Sequence, residues 1–177
     1  MIKLKIKNIL KKKNKKPIIS LTAYSKTISE ILDKYCDLIL VGDSLANVLY
    51  GLKNTHAIDL KTMTNHARSV MLGVKKSTCV VDMPKGTYNT KNQALRNAKY
   101  IISKSNCDAV KIENYKNNSL IIKHLVKSGI NVMGHIGYTP QFKEKFKPSG
   151  LSKLEQDKLL REAIKIQTAG AFSIVLE

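Results

Sequence analysis

The chain has 177 residues, 43% of them apolar, with nine Gly, four Pro and three Cys, which excludes a disordered, collagen-like or disulfide-stapled protein and suits one globular domain. Thirty-one Lys and Arg against 13 Asp and Glu give a net charge of +18. Only three of those cations are Arg and only 6% of residues are aromatic, whereas base readout and stacking favour Arg interleaved with aromatic rings. Lys, Asn and Ile make up 60 of the residues, so the charge reads as A/T-biased coding, with a basic nucleic-acid or anionic-surface binder as the alternative. No apolar stretch reaches the roughly 18 uncharged residues of a membrane-spanning helix. The Lys-rich start also lacks the apolar core of a secretion signal, which points to the cytoplasm. Cys36, Cys79 and Cys107 lack CxxC spacing and lie in or beside apolar runs, so they read as small buried hydrophobes.

Residues 1–16 hold eight lysines and no acid and are expected to form a basic N-terminal arm with room for a short helix, a solvated tail or a binding element, followed by a single domain over 17–177. From there one unit repeats: a short β-branched apolar run, a polar or glycine punctuation, then helical periodicity. The first run, Ile18–Tyr24, precedes a helix capped at Ser25 or Thr27, with Ile28, Ile31, Leu32 and Tyr35 on its apolar face. The second, Leu38–Asp43, leads through a longer excursion to a helix that Asp59 opens and Gly73 ends, carrying Met63, Ala67, Val70 and Met71. Thr78–Asp82 follows, then a helix opened by Thr90 with Ala94, Leu95, Ala98, Ile101 and Ile102. Ala109–Glu113 precedes a helix from Ser119 to Gly129, Ile130–His135 precedes one from Ser152 to Gly170, and Phe172–Glu177 is the sixth run. Near-continuous apolar strands alternating with helices predict an α/β fold, a parallel sheet covered by helices.

Charged residues close these runs. Asp43, Asp82, Glu113, His135 and Glu177 each end one, and a parallel α/β fold puts all such ends on one face, where ligands bind. Each acid alone could merely cap the next helix. Three acids converging at the mouth of an apolar sheet repel one another and lose hydration, a cost that a bound cation offsets. Oxygen donors with no thiol nearby suit a hard divalent ion, Mg²⁺ before Zn²⁺, and such an ion can polarise a carbonyl and stabilise an enolate. Lys111 points to the same side of its strand as Glu113, because side chains alternate. It could pair with a substrate carboxylate, a developing oxyanion or a neighbouring acid. His135 stands between Gly134 and Gly137, which are expected to let a ligand or backbone approach closely, and it fits an orienting or a proton-shuttling role. His56, His66 and His124 fall in loop or helix positions and are assigned no chemistry.

Six motifs stand in register: Leu21-Thr-Ala-Tyr24, Leu40-Val-Gly-Asp-Ser-Leu45, Val81-Asp-Met-Pro84, Val110-Lys-Ile-Glu113, Gly134-His-Ile-Gly137 with Thr139-Pro-Gln141, and Ala169-Gly-Ala171 with Val175-Leu-Glu177. Over residues 18–177 they closely resemble the 3-methyl-2-oxobutanoate (ketopantoate) hydroxymethyltransferase family. The resemblance implies a metal-dependent (β/α)₈ TIM barrel of pantothenate biosynthesis that assembles into large homo-oligomeric rings. It also implies the reaction: a hydroxymethyl group passes from 5,10-methylenetetrahydrofolate to C3 of 3-methyl-2-oxobutanoate, through a metal-stabilised enolate, to give 2-dehydropantoate. By the same resemblance Mg²⁺, with Zn²⁺ or another divalent ion as alternatives, is held by the residues matching Asp43, Asp82 and Glu113. The substrate site comprises those matching Asp43, Ser44, Asp82, Lys111 and His135, and Glu177 matches the catalytic base that takes the C3 proton.

Two departures from the family are visible. Tyr24-Ser25 stands where the family usually carries Tyr-Asp, and the glycine-rich loop expected between Phe146 and Gly150 is shortened to Lys-Pro-Ser, which bears on closure over the folate. A complete barrel of this type takes about 250 residues. About six βα units are expected here, an incomplete barrel truncated after the sixth strand, so the alternative to a working transferase is an inactive remnant.

Overall fold

The computed structural model describes residues 4–116, 118–143 and 145–177. Helix α1 (Leu4–Lys12) comes first, and six strands follow: β1 (Ser20–Thr22), β2 (Leu38–Val41), β3 (Thr78–Asp82), β4 (Ala109–Glu113), β5 (Val132–Ile136) and β6 (Ser173–Leu176). They form one parallel sheet in sequence order, curled into a half-barrel of the (β/α)₈ type. The helices between them are α2 (Lys26–Leu32), α3 (Leu45–Val48), α4 (Leu60–Met71), α5 (Lys91–Ser105), α6 (Asn118–Lys127) and α7 (Lys153–Thr168). None of the described helices is long and apolar enough to cross a membrane.

Strand alternation splits the apolar residues into two sets. Ile39, Val41, Cys79, Val81, Val110, Ile112 and Val132 join the helices in the main core, which also takes in Cys36 and Cys107. Leu38, Val80, Ala109 and Met133 form a second cluster inside the curl. Helix starts follow the expected caps: Asp59, Thr90 and Ser152 accept hydrogen bonds from the backbone N–H groups of Thr62, Gln93 and Glu155, and Ser152 with Glu155 completes a capping box. Helix α6 starts at Asn118, so Ser119 lies inside it.

Two sequence expectations are corrected. In α2 the apolar stripe is buried only in part: Leu32 packs against the main core, but Ile28 and Ile31, with Tyr35 beyond the helix, are exposed, whereas Ser29 is buried. The helix packs closely where α4 ends, with the Ser29 hydroxyl donating to Val70 O and Gly73 leaving no room for a Cβ against Ser29 and the Lys26 carbonyl. A small side chain therefore wins the interface over a larger apolar one. The basic arm is also not a solvated tail over residues 4–12. There it is α1, whose Ile6 and Ile9 are buried, Ile6 among Leu38, Val80, Ala109 and Met133 inside the curl. Its lysines reach residues just before β2, β3 and β4: Lys12 pairs with Asp37, Lys5 donates to Ser77 O at 3.0 Å, and Lys5 lies 3.9 Å from Asp108. Ile6→Ala is therefore expected to cost about 2–5 kcal/mol in urea unfolding, against less than about 0.5 kcal/mol for exposed Leu4→Ala.

Candidate active site

The C-terminal ends of the strands rim a cleft of about 740 Å³. All the sequence-predicted site residues, Asp43, Ser44, Asp82, Lys111, Glu113, His135 and Glu177, line it. Lateral pairing sets their neighbours: Asp82 lies opposite Lys111 and Glu113 opposite His135 in the sheet register, so strand alternation brings Lys111 and Glu113 to the cleft together.

Asp43 and Asp82 are both almost fully buried. The Asp43 backbone N–H donates to Asp82 Oδ2 at 3.1 Å, and the Lys111 ammonium donates to the same oxygen at 3.0 Å. Asp82 Oδ1 also lies 3.0 Å from Lys111 Nζ, yet it is buried without a well-aligned hydrogen bond. Burial, and then the Asp82 charge, push the Asp43 carboxyl up to about 7, against the opposing pull of Lys111 and of a hydrogen bond from Gln141. Burial alone would lower the Lys111 ammonium, but the Asp82 carboxylate reverses that and holds it above the usual lysine range. Lys111 is thus kept charged by its partner.

Glu113 is engaged elsewhere. Its Oε2 accepts the Gln141 backbone N–H at 3.1 Å, and its Oε1 lies 3.6 Å from His135 Nδ1. The other ring nitrogen, Nε2, is 3.1 Å from Glu177 Oε2, and the Glu177 side chain is half exposed. His135 is therefore buried between two carboxylates, with neither ring nitrogen making a well-aligned hydrogen bond. Ser44 Oγ shares a 2.9 Å hydrogen bond with the Tyr24 hydroxyl.

The glycines beside His135 serve packing rather than a ligand. A Cβ on Gly134 would strike Ile166 of α7, and Gly137, at φ +89°, would strike the backbone of residue 177. Sequence reasoning also missed His56, which lines the cleft and whose Nε2 lies 3.2 Å from Pro140 O. Gln141, in the sequence simply the last residue of Thr139-Pro-Gln141, is a second such residue. Its side-chain Nε2 donates to Asp43 Oδ2 at 2.8 Å and to Met83 O at 3.0 Å, and the buried Tyr88 hydroxyl donates to its Oε1. A Gln two residues after a Thr carries no spacing signal of its own.

Among the described residues no group of three or more His, Cys, Asp and Glu side chains is spaced to hold a metal ion as it stands. Lys111 neutralises Asp82 and Gln141 stands between Asp43 and Glu113. The donor chemistry nonetheless fits a hard dication: two crowded aspartates, one with a buried oxygen lacking a hydrogen bond and the other pushed towards neutrality by its neighbour's charge.

A curled parallel sheet with a buried acid pair at its carboxyl edge places the chain in the TIM-barrel-like α/β class. The same architecture occurs in phosphonopyruvate hydrolase, solved with oxalate and Mg²⁺, with a TM-score of 0.74 and 10% identity over all of this chain and 63% of that one. It occurs too in 2,3-dimethylmalate lyase, a PEP mutase/isocitrate lyase superfamily member, with a TM-score of 0.70, 14% identity, and 98% and 63% of the two chains covered. At those identities the likeness is one of fold. The family model described as ketopantoate hydroxymethyltransferase matches residues 3–177, and the chain belongs to that family. The 3-methyl-2-oxobutanoate hydroxymethyltransferase of Pelagibacter ubique is 53% identical over 98% of this chain and 67% of its own length. Those of Campylobacter concisus and Zymomonas mobilis are 43% and 45% identical, over 99% and 94% of this chain and 66% and 62% of theirs. The chain thus spans about two thirds of the length of these curated relatives.

The electrostatics set opposite effects for two variants of the metal-free protein. Lys111→Met strands Asp82 as a buried charge and is expected to cost about 3–5 kcal/mol. Asp43→Asn removes the repulsion and should stabilise. Because the folded Asp43 carboxyl sits at about 7 against an ordinary 3.8, the native state holds a proton that the unfolded chain releases. That stabilisation is complete below the unfolded value and lost as pH rises through about 7. The advantage of Asp43→Asn in melting temperature should therefore grow between pH 5 and pH 8, whereas a constant difference would contradict the assignment.

Proposed function

We propose that this chain carries the substrate-activating site of a ketopantoate hydroxymethyltransferase, acting in the cytoplasm on 3-methyl-2-oxobutanoate with 5,10-methylenetetrahydrofolate as one-carbon donor. The observation that carries the reading is the buried Asp43–Asp82 pair beside a charged Lys111 at the mouth of the curl, in a chain of this family. Asp43 and Asp82, with Glu113 lining the same cleft, would hold Mg²⁺. Bound there, the ion supplies Lewis-acid polarisation of the 2-oxo group, which acidifies the C3–H bond.

The chain's own residues have the complementary tasks. Lys111, kept cationic by Asp82, pairs with the negative charge of the 2-oxo acid, and Ser44, oriented by Tyr24, donates to its oxygens. Lys53 and Lys143 also line the cleft and attract an anionic substrate. Glu177 Oε2 takes the C3 proton, and His135, 3.1 Å away, orients that carboxylate from its buried position between two acids. The carbanion electrons then form a C–C bond to the methylene carbon of the folate as the first of its two C–N bonds breaks, the released nitrogen taking a proton. Water then displaces the second nitrogen, its hydroxyl staying on the carbon as the hydroxymethyl group on C3 and its proton going to the nitrogen, which releases tetrahydrofolate.

Proton exchange at C3 of 3-methyl-2-oxobutanoate in deuterated water tests the first step without requiring a folate site. The chain with Mg²⁺ is expected to wash out the C3–H signal in NMR, with EDTA abolishing the effect. Glu177→Gln should slow it at least about 100-fold, within the usual worth of a general base. Exchange no faster than in buffer, or unchanged in Glu177→Gln, would overturn the reading.

A further inference from the structure

Gln141 is fully buried in the floor of the cleft, although a Gln is normally a surface residue. Every polar atom of its side chain is paired there. Both amide protons are used, on Asp43 Oδ2 at 2.8 Å and on Met83 O at 3.0 Å, while the amide oxygen accepts from the Tyr88 hydroxyl. Its main-chain N–H goes to Glu113 Oε2 at 3.1 Å. One residue in the loop after β5 thereby ties together the carboxyl ends of β2, β3 and β4.

The orientation of the amide is determined by its neighbours. The Met83 carbonyl can only accept, so the amide nitrogen must face it and the oxygen must face Tyr88. The buried Tyr88 hydroxyl supplies that donor directly to the amide oxygen. Were the Tyr88 proton absent, the amide oxygen would be left unpaired in the interior, at a cost comparable to that of a lost hydrogen bond. Tyr88 therefore locks Gln141, and Gln141 locks the acids.

We infer that Gln141, held by Tyr88, is the positioning residue of the proposed cation site. By occupying Oδ2 of Asp43 and Oε2 of Glu113 it decides which oxygen of each carboxylate is available to an ion and to His135. It does so with neutral N–H donors, so it orients the acids without cancelling the charge a cation requires; a Lys in its place would compete with the ion. The division of labour is complementary: Lys111 offsets the charge of Asp82, and Gln141 sets the direction of Asp43 and Glu113. This inference rests on the cation reading of the cleft given above.

Mn²⁺ binding followed by electron paramagnetic resonance tests it on the whole chain. Gln141→Leu, which keeps the main-chain donor to Glu113 but removes the side-chain amide, is expected to weaken Mn²⁺ binding at least tenfold. Tyr88→Phe, which keeps the amide but releases its orientation, should weaken it three- to tenfold, and it decides the matter if the Leu variant fails to fold. Ile101→Val, equally deep but on α5 away from the cleft, serves as the stability control and should lower the melting temperature with Mn²⁺ affinity unchanged. Wild-type Mn²⁺ affinity in Tyr88→Phe, or in a folded Gln141→Leu, would overturn the positioning role while leaving the cation reading intact. Failure of the unmodified chain to bind Mn²⁺ would instead overturn the cation reading, and this inference with it.

Discussion

Two carboxylates, Asp43 and Asp82, are buried side by side at the inner rim of the sheet, where water cannot screen them, and the surrounding residues are arranged around the cost of that placement. Lys111 supplies a cation on the neighbouring strand, the Asp43 backbone N–H turns one acid's main chain towards the other's side chain, and Gln141 donates from the loop above. Even so the compensation is incomplete, because Asp82 Oδ1 has no directed donor and Asp43 is pushed towards protonation. A site left electrostatically short by about one positive group is poorly explained by stability alone, since apolar replacements of similar volume are often as stable or more so. It is well explained by a ligand that brings the missing charge.

The half-barrel makes this possible through its alternation of inward and outward side chains. Apolar outward residues bind the helices, so inward positions are released from core duty towards the carboxyl ends of the strands. At the opposite end α1 places Ile6 against the inward apolar residues, giving the curl a dry base beneath its polar mouth. Fold and chemistry thus occupy different ends of the same strands, which is how chains only 10% to 14% identical share this architecture.

What could be read in the sequence was whatever depends on local rules. β3 and β4 follow from their apolar runs, Asp59, Thr90 and Ser152 from capping chemistry, and the shared side of Lys111 and Glu113 from strand periodicity. Features fixed by distant partners were not legible. Ile28 and Ile31 of α2 are exposed where Gly73 and Ser29 set how that helix packs, and Gly134 is small because of Ile166, 32 positions later. Gln141 holds Asp43 across 98 residues, a relation that neither propensity nor spacing encodes. The six strand-terminal motifs located the cleft, but the direction in which each carboxylate points within it came from residues that sequence reasoning left unassigned.

The claim that the buried acid pair is a cation site is tested most directly by anomalous diffraction from crystals of this chain grown with Mn²⁺. The expected result is a single strong peak within about 2.0–2.6 Å of carboxylate oxygens from both Asp43 and Asp82, the range hard divalent cations adopt with such donors, with Lys111 displaced to the side of the ion. A map with no peak at that position, and with Lys111 still paired to Asp82 at saturating Mn²⁺, would contradict it.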